Sequence, residues 1–164
     1  MYQTNYTVDK AANSIKAERT FAAQLPLVWR AWTEKEILDQ WWAPKPWKAE
    51  TKTLDLRPGG VWLYAMSGPD GEKHWSKLEY TEVVHEQLYT GHSVFCDEHG
   101  MPATGMNASK WHVQFIGEGD ITHVTTTLTF QTAADMERLI AMGFEGGFAM
   151  GHSNLDEYLQ QHAV

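Results

Sequence analysis

Polar and apolar positions alternate from Ser14 to Ala23, with Ile15, Ala17, Arg19 and Phe21 on one face and Lys16, Glu18 and Thr20 on the other. A period of two predicts a half-buried strand. The pattern then changes. Pro26 suits the first turn of a helix, and Leu27, Val28, Ala31 and Trp32 give that helix an apolar face. Thr33, with Glu36 three residues on, reads as a capping box for a second short helix. That helix runs from Glu34 to about Trp42 and ends near Pro44 and Pro46.

A run of strands follows. Trp47 to Leu56 and Val61 to Ser67 flank the turn Arg57-Pro58-Gly59-Gly60. Lys73 to Val84 comes after Gly68-Pro69-Asp70-Gly71, the strongest hairpin signal in the chain. Gln87 to Phe95 continues the meander, and Asp97 to Asn107 reads as a longer loop. Ser109 to Ile116 and Ile121 to Phe130 make a last hairpin, the second strand marked by its β-branched Thr-rich stretch. One helix closes the chain from Ala133 to about Gln161, with Met136, Ile140, Phe144, Phe148, Leu155 and Leu159 at helical spacing. Gly143, Gly146, Gly147 and Gly151 fall inside it, each costing a helix about 1 kcal/mol relative to Ala. They call for a bend, a close approach to the sheet, or room for a ligand. Gly147 and Gly151, four apart on one face, are expected to let the helix approach the sheet or to leave space for a ligand.

This order predicts an α+β fold: a curved antiparallel sheet of about six or seven strands wrapped around a long C-terminal helix, with two short N-terminal helices. Residues 1–13 read as a loose lead-in to a single domain spanning 14–164. A chain of 164 residues fits one domain and can bury a sizeable core.

Charge narrows the partners. The net charge is -8 and no basic run occurs, which argues against nucleic acid and against an anionic membrane surface. No apolar run approaches a membrane span, and Met1 to Asn13 lacks the apolar core of a signal peptide. A lone cysteine, Cys96, excludes an intramolecular disulfide and a multi-cysteine zinc site. The expected setting is cytoplasmic. Eight Trp, six Tyr and six Phe are a heavy load of rings, which either fill a core or line a cavity.

Several segments resemble the activator-of-heat-shock-ATPase (Aha-type) family of START-like, helix-grip proteins. Asp39-Gln40-Trp41-Trp42-Ala43-Pro44 is similar to the family's "WW-P" signature. Asp55-Leu56-Arg57-Pro58-Gly59-Gly60-Val61-Trp62, the hairpin Gly68-Pro69-Asp70-Gly71 and Tyr80-Thr81-Glu82-Val83-Val84 resemble its strand motifs in the same order. Gly143 to Gly147 through Leu155 to Leu159 looks like its closing helix. Two departures stand out: His85-Glu86 replaces a Pro-rich turn, and His152 falls where a Trp is common. The resemblance implies a cavity between sheet and helix. It also implies a use drawn from apolar-ligand binding, co-chaperone action or, less readily, cyclase or hydrolase chemistry; fold alone does not choose among them.

The expected lining combines Trp62, Tyr64 and Met66 with Trp111 and Phe115, two strand faces, and Phe144, Gly147 and Phe148 from the last helix. Trp41 and Trp42 either lid the cavity or pin a short helix to the sheet, together with Trp47. His74, Tyr80 and His92 would supply polar contacts, with His74 and His92 facing inward on neighbouring strands. His112 alternates with Trp111 and Val113 and should point outward, so a three-His zinc site is not expected. Cys96 with His99 could form a nucleophile–base pair, but the spacing is common by chance. Asp55 and Arg57 flank a turn and read as a structural ion pair. No phosphate-binding glycine motif occurs. The expectation is a small apolar or aromatic ligand, no cofactor and no metal, a monomer or homodimer, and binding ahead of catalysis. A heat-shock ATPase is the alternative partner, in a stress-response role.

Overall fold

A computed structural model describes residues 2–162. The strands are β1 (Asn5–Asp9), β2 (Ser14–Phe21), β3 (Lys48–Leu54), β4 (Val61–Ser67), β5 (Lys73–Val84), β6 (Leu88–Cys96), β7 (Ser109–Glu118) and β8 (Ile121–Thr129). Helices α1 (Leu25–Thr33) and α2 (Lys35–Trp41) sit between β2 and β3; α3 (Ala133–Ala141) and α4 (Phe144–His162) close the chain. All eight strands join one antiparallel sheet in the order β1-β2-β8-β7-β6-β5-β4-β3. Only the long step from β2 to β3, through α1 and α2, departs from a simple meander, and it places β8 beside β2.

The sheet exceeds the expected six or seven strands because part of the lead-in is a strand. Asn5 to Asp9 pairs with Ser14 to Glu18 across a tight turn. Its residues are mostly exposed, so a period-two apolar pattern was never there to read. The other strands follow their alternation. In β2, Ile15, Ala17, Arg19 and Phe21 are all buried, and in β8 Thr122, Val124, Thr126 and Leu128 point the same way. The expected end of the domain at residue 164 lies outside the described residues.

Two helical expectations change. Thr33 does not cap α2. Its hydroxyl donates back to the Trp29 carbonyl at 2.7 Å, closing α1, and extended Glu34 begins α2 without a side-chain cap. The closing helix is two helices. Gly143 adopts φ +87, a left-handed conformation that a side chain disfavours, and its N–H bonds the Ile140 carbonyl to end α3.

The core lies between the concave sheet face and the helices, and the C-terminal half of α4 docks on the end of α2. Gly151 is buried there. A Cβ on it would stand 3.3 Å from the Trp42 carbonyl oxygen and 3.4 Å from that of Trp41. Asn154, also buried, donates to the Ala43 carbonyl at 3.0 Å and to that of Trp41 at 3.4 Å. The close approach expected of both glycines therefore belongs to Gly151. At Gly147 an added Cβ would meet only Pro44 Cγ, at an ordinary 3.7 Å. Gly147→Ala should stabilise the fold by up to about 1 kcal/mol through helix propensity. Gly151→Ala should instead lose about 1 kcal/mol net, overpacking outweighing the same gain. Urea denaturation of the two variants reads the opposite signs.

Candidate functional site

Between the N-terminal half of α4, α3, the β6–β7 loop and the sheet lies a cavity of about 680 Å³. This falls within the range of small-molecule sites. The floor comes from four neighbouring strands, which carry Tyr64 and Met66 (β4), Ser76 (β5), Ser93 and Phe95 (β6) and Trp111 (β7). Register explains the convergence: Tyr64 pairs with Ser76 and Met66 with His74, so they share the concave face. Phe144, Gly147 and Phe148 form the helical wall, with the two phenyl rings stacked at 5.1 Å. Trp42 closes the inner corner, its ring 5.9 Å from Phe148, 6.1 Å from Trp111 and 6.3 Å from Tyr64. His74 is exposed at the mouth, its ring 5.4 Å from that of Trp47, which also lines the cavity.

The remaining residues read as inward from the sequence lie elsewhere. Trp62 is buried beneath Tyr64, stacked on it at 4.3 Å, with its indole N–H donating to Thr51 Oγ1 at 3.1 Å. Trp41 pins α2 to α1: its indole N–H donates to the Ala31 carbonyl at 2.9 Å and its ring meets Trp32 at 4.9 Å. Phe115 and Tyr80 are buried in the core, against Trp29 and Tyr89 respectively. His92 does not face inward. It pairs across the strands with Glu79 and Lys110, and all three are exposed on the face opposite Trp111. Strand parity makes the correction: Gly91 sits opposite inward Trp111, so His92 must point away.

Sequence reasoning missed other walls. Phe130 continues the inward alternation of β8, and Phe95 lies opposite inward Ser76 in β6, so pattern could have found both. Met106, Leu139 and Met142, from the loop and α3, carry no such signal.

The site's chemistry is quiet. Burial raises the Tyr64 hydroxyl above its ordinary range, outweighing the side-chain hydrogen bonds with Trp42 and Ser76 that pull it down. It therefore stays neutral and able to donate. Burial also pushes the Cys96 thiol up, against the pull of Lys77, which disfavours the nucleophilic thiolate. His99, the expected base, is exposed beside Glu98 and does not line the cavity. Asp55 and Arg57 form the expected turn pair at 2.7 Å. Among the described residues no three His, Cys, Asp or Glu side chains gather as a metal site would require, and no helix is long and apolar enough to cross a membrane.

Behind the helical wall lies a polar cluster. Arg19, buried on β2, pairs with Asp156 of α4, and its Nη1 donates to Thr4 Oγ1 at 3.1 Å. Thr4 Oγ1 stands 2.7 Å from His152 Nδ1. The Thr4 hydroxyl thus accepts from Arg19 and shares a hydrogen bond with the ring of His152. His152 is buried among Phe148, Phe21 and Trp32, at 4.4, 5.5 and 5.8 Å.

A curved antiparallel sheet gripping a C-terminal helix around an apolar cavity defines a helix-grip, START-like domain. The chain belongs to the family described as Activator of Hsp90 ATPase homolog 1-like protein, whose model matches residues 22–160. A crystal structure of a protein from Mycobacterium smegmatis is 27% identical, with 96% of each chain covered and a TM-score of 0.89. A solution structure of a protein from Arthrobacter aurescens is 28% identical, covering 97% of this chain and 92% of that one, also at 0.89. An AHSA1 protein from Silicibacter pomeroyi, 16% identical over 90% of this chain and 98% of its own (TM-score 0.73), shares the fold. No curated protein is similar enough to this chain to count as a match.

Burial drives the His152 pKa down to about 3, with the Arg19 charge adding to the shift. An unfolded histidine titrates near 6.5. The folded value is the lower one, so the contribution of neutral His152 is fully present above about 6.5 and is lost as pH falls from there towards about 3. Urea denaturation should show a loss on the order of 2 kcal/mol by about pH 4.5. His152→Phe, which removes the proton site, should flatten that slope.

Proposed function

We propose that this protein binds a small apolar or aromatic molecule in the cavity between the sheet and α4. The observation that carries the reading is the combination of volume and lining: about 680 Å³ walled chiefly by Trp42, Tyr64, Trp111, Phe144 and Phe148. A cavity of this kind takes its affinity from apolar area and its orientation from a few polar groups. Tyr64, Ser76 and His74 would supply those groups. Among the described residues none near the walls pairs a base with a nucleophile, and the apolar lining supports binding ahead of turnover. The family's description supports a second reading, contact with a heat-shock ATPase. Stimulation of such an ATPase by this chain in a purified system would favour it.

The test uses phenylnaphthylamine, a neutral dye that brightens in apolar surroundings. Binding should quench tryptophan emission, since Trp42, Trp47 and Trp111 line the cavity. Ser93 also lines it, on β6, where a large ring can occupy the space without displacing core residues. Ser93→Trp should weaken the dye by about tenfold or more. A dye that ignores the wild-type cavity, or that binds Ser93→Trp equally well, would refute the reading.

A further inference from the structure

Resting on the reading of an apolar-ligand cavity, we propose that its occupant is a monoanion, an aromatic or long-chain body whose single acidic group is met at the mouth by Arg138. The interior offers hydroxyls but no charge: Ser76, Ser93, Ser109 and Tyr64 are its polar side chains. The fixed charges of the lining are Lys73, Asp135 and Arg138, and all are exposed or half-buried, at the rim.

The first two are already engaged. Asp135 accepts from Asn107 Nδ2 at 3.0 Å while its backbone N–H donates to the Thr132 hydroxyl at the start of α3. Lys73 Nζ stands 3.5 Å from Glu50. Arg138 differs. Its Nη1 reaches the thioether of Met106 at 3.2 Å, a weak acceptor, and among the described residues it forms no ion pair. Asp135, one turn earlier on the same helix, feels the Arg138 charge but forms no ion pair with it and directs its carboxylate to Asn107. The guanidinium thus keeps N–H groups free at the edge of an apolar space, in the geometry that suits a carboxylate or sulfonate.

The charge of the whole chain sharpens the point. At -8 the molecule repels anions in general. A neutral ligand would need no cation at the mouth. An amphiphilic anion needs a local exception to the repulsion, and Arg138 on the rim provides one. Its apolar body would lie against Phe144, Phe148 and Trp111, and its acid group would stay at the water boundary, so no charge is buried unpaired.

Two dyes with the same ring system separate the claims: neutral phenylnaphthylamine and its anionic relative anilinonaphthalene sulfonate. Wild type should prefer the sulfonate, and the preference should shrink with added salt. Arg138→Gln should weaken the sulfonate about three- to tenfold and leave the neutral dye unchanged; Arg138→Glu should weaken the sulfonate further. Arg138 is exposed, so neither variant threatens folding. Equal loss for both dyes, or no loss for either, overturns the anionic occupant while the apolar cavity stands. Undiminished sulfonate binding by Ser93→Trp puts that dye outside the cavity and overturns the anionic occupant; the cavity reading falls only if the neutral dye is undiminished too.

Discussion

The seat of α4 on the end of α2 is the constraint on which the rest of the structure depends. Helix α2 stops inside the protein, so the carbonyls of Trp41, Trp42 and Ala43 have no helical partner and little water. A buried, unpaired carbonyl costs as much as a lost hydrogen bond or more. The solution is local and comes from α4: Asn154 donates to two of these oxygens, and Gly151, lacking a side chain, lets the backbone come within reach. Fixing that contact fixes Trp42, whose ring forms the inner corner of the cavity. The "WW-P" segment and the helix glycine are thus two sides of one joint.

The other flank of α4 is held by charge. Arg19 sits on the buried face of β2, where its neighbours in the alternation are Ile15, Ala17 and Phe21. An unpaired guanidinium there would be costly, and Asp156 answers it. Burial raises the Asp156 carboxyl more than the Arg19 charge lowers it, so the pair is kept for position more than for energy. Thr4, Arg19 and His152 then tie the chain ahead of β1 to the middle of α4. Tyr6 of β1 completes the tie, its hydroxyl donating to the Glu145 carbonyl at 2.6 Å, and burial pushes its pKa up to about 12, keeping the donor protonated. The first residues of the chain therefore buttress the cavity wall.

That buttress shows where the sequence was silent. Alternation in β2 named the inward residues correctly because that strand has one buried face, and the same period put Trp62, Tyr64 and Met66 on one face of β4 although Leu63 and Ala65 between them are buried too. Strand β1 buries almost nothing, so its pairing had no pattern to announce it. The glycines signalled an irregular closing helix, but spacing could not tell a left-handed break at Gly143 from a close approach at Gly151, since Met136, Ile140 and Phe144 stay in phase across the break. Periodicity also reports face, not depth. Trp62, Phe115 and Tyr80 are inward and buried, yet lie under or beside the cavity because other rings or α1 stand between. His92 failed for another reason: it was placed by residue type, against the parity that Trp111 imposes through Gly91.

Stability is spread unevenly around the cavity, and the uneven part is the wall that a ligand would touch. From Gly151 onward α4 contributes Gly151, His152, Asn154, Leu155 and Leu159 to the buried core. From Phe144 to Met150 it contributes no fully buried residue and carries two glycines, Gly146 and Gly147. Helix α3 buries only Met136. Segments with few buried apolar contacts open at low free-energy cost, while the sheet opposite is held by continuous ladders. A molecule filling the space would add the missing apolar contact to Phe144 and Phe148 on one side and meet a fixed floor of Tyr64 and Trp111 on the other. The domain thus sets a rigid floor against a loosely packed wall, and both follow from where the apolar side chains run out.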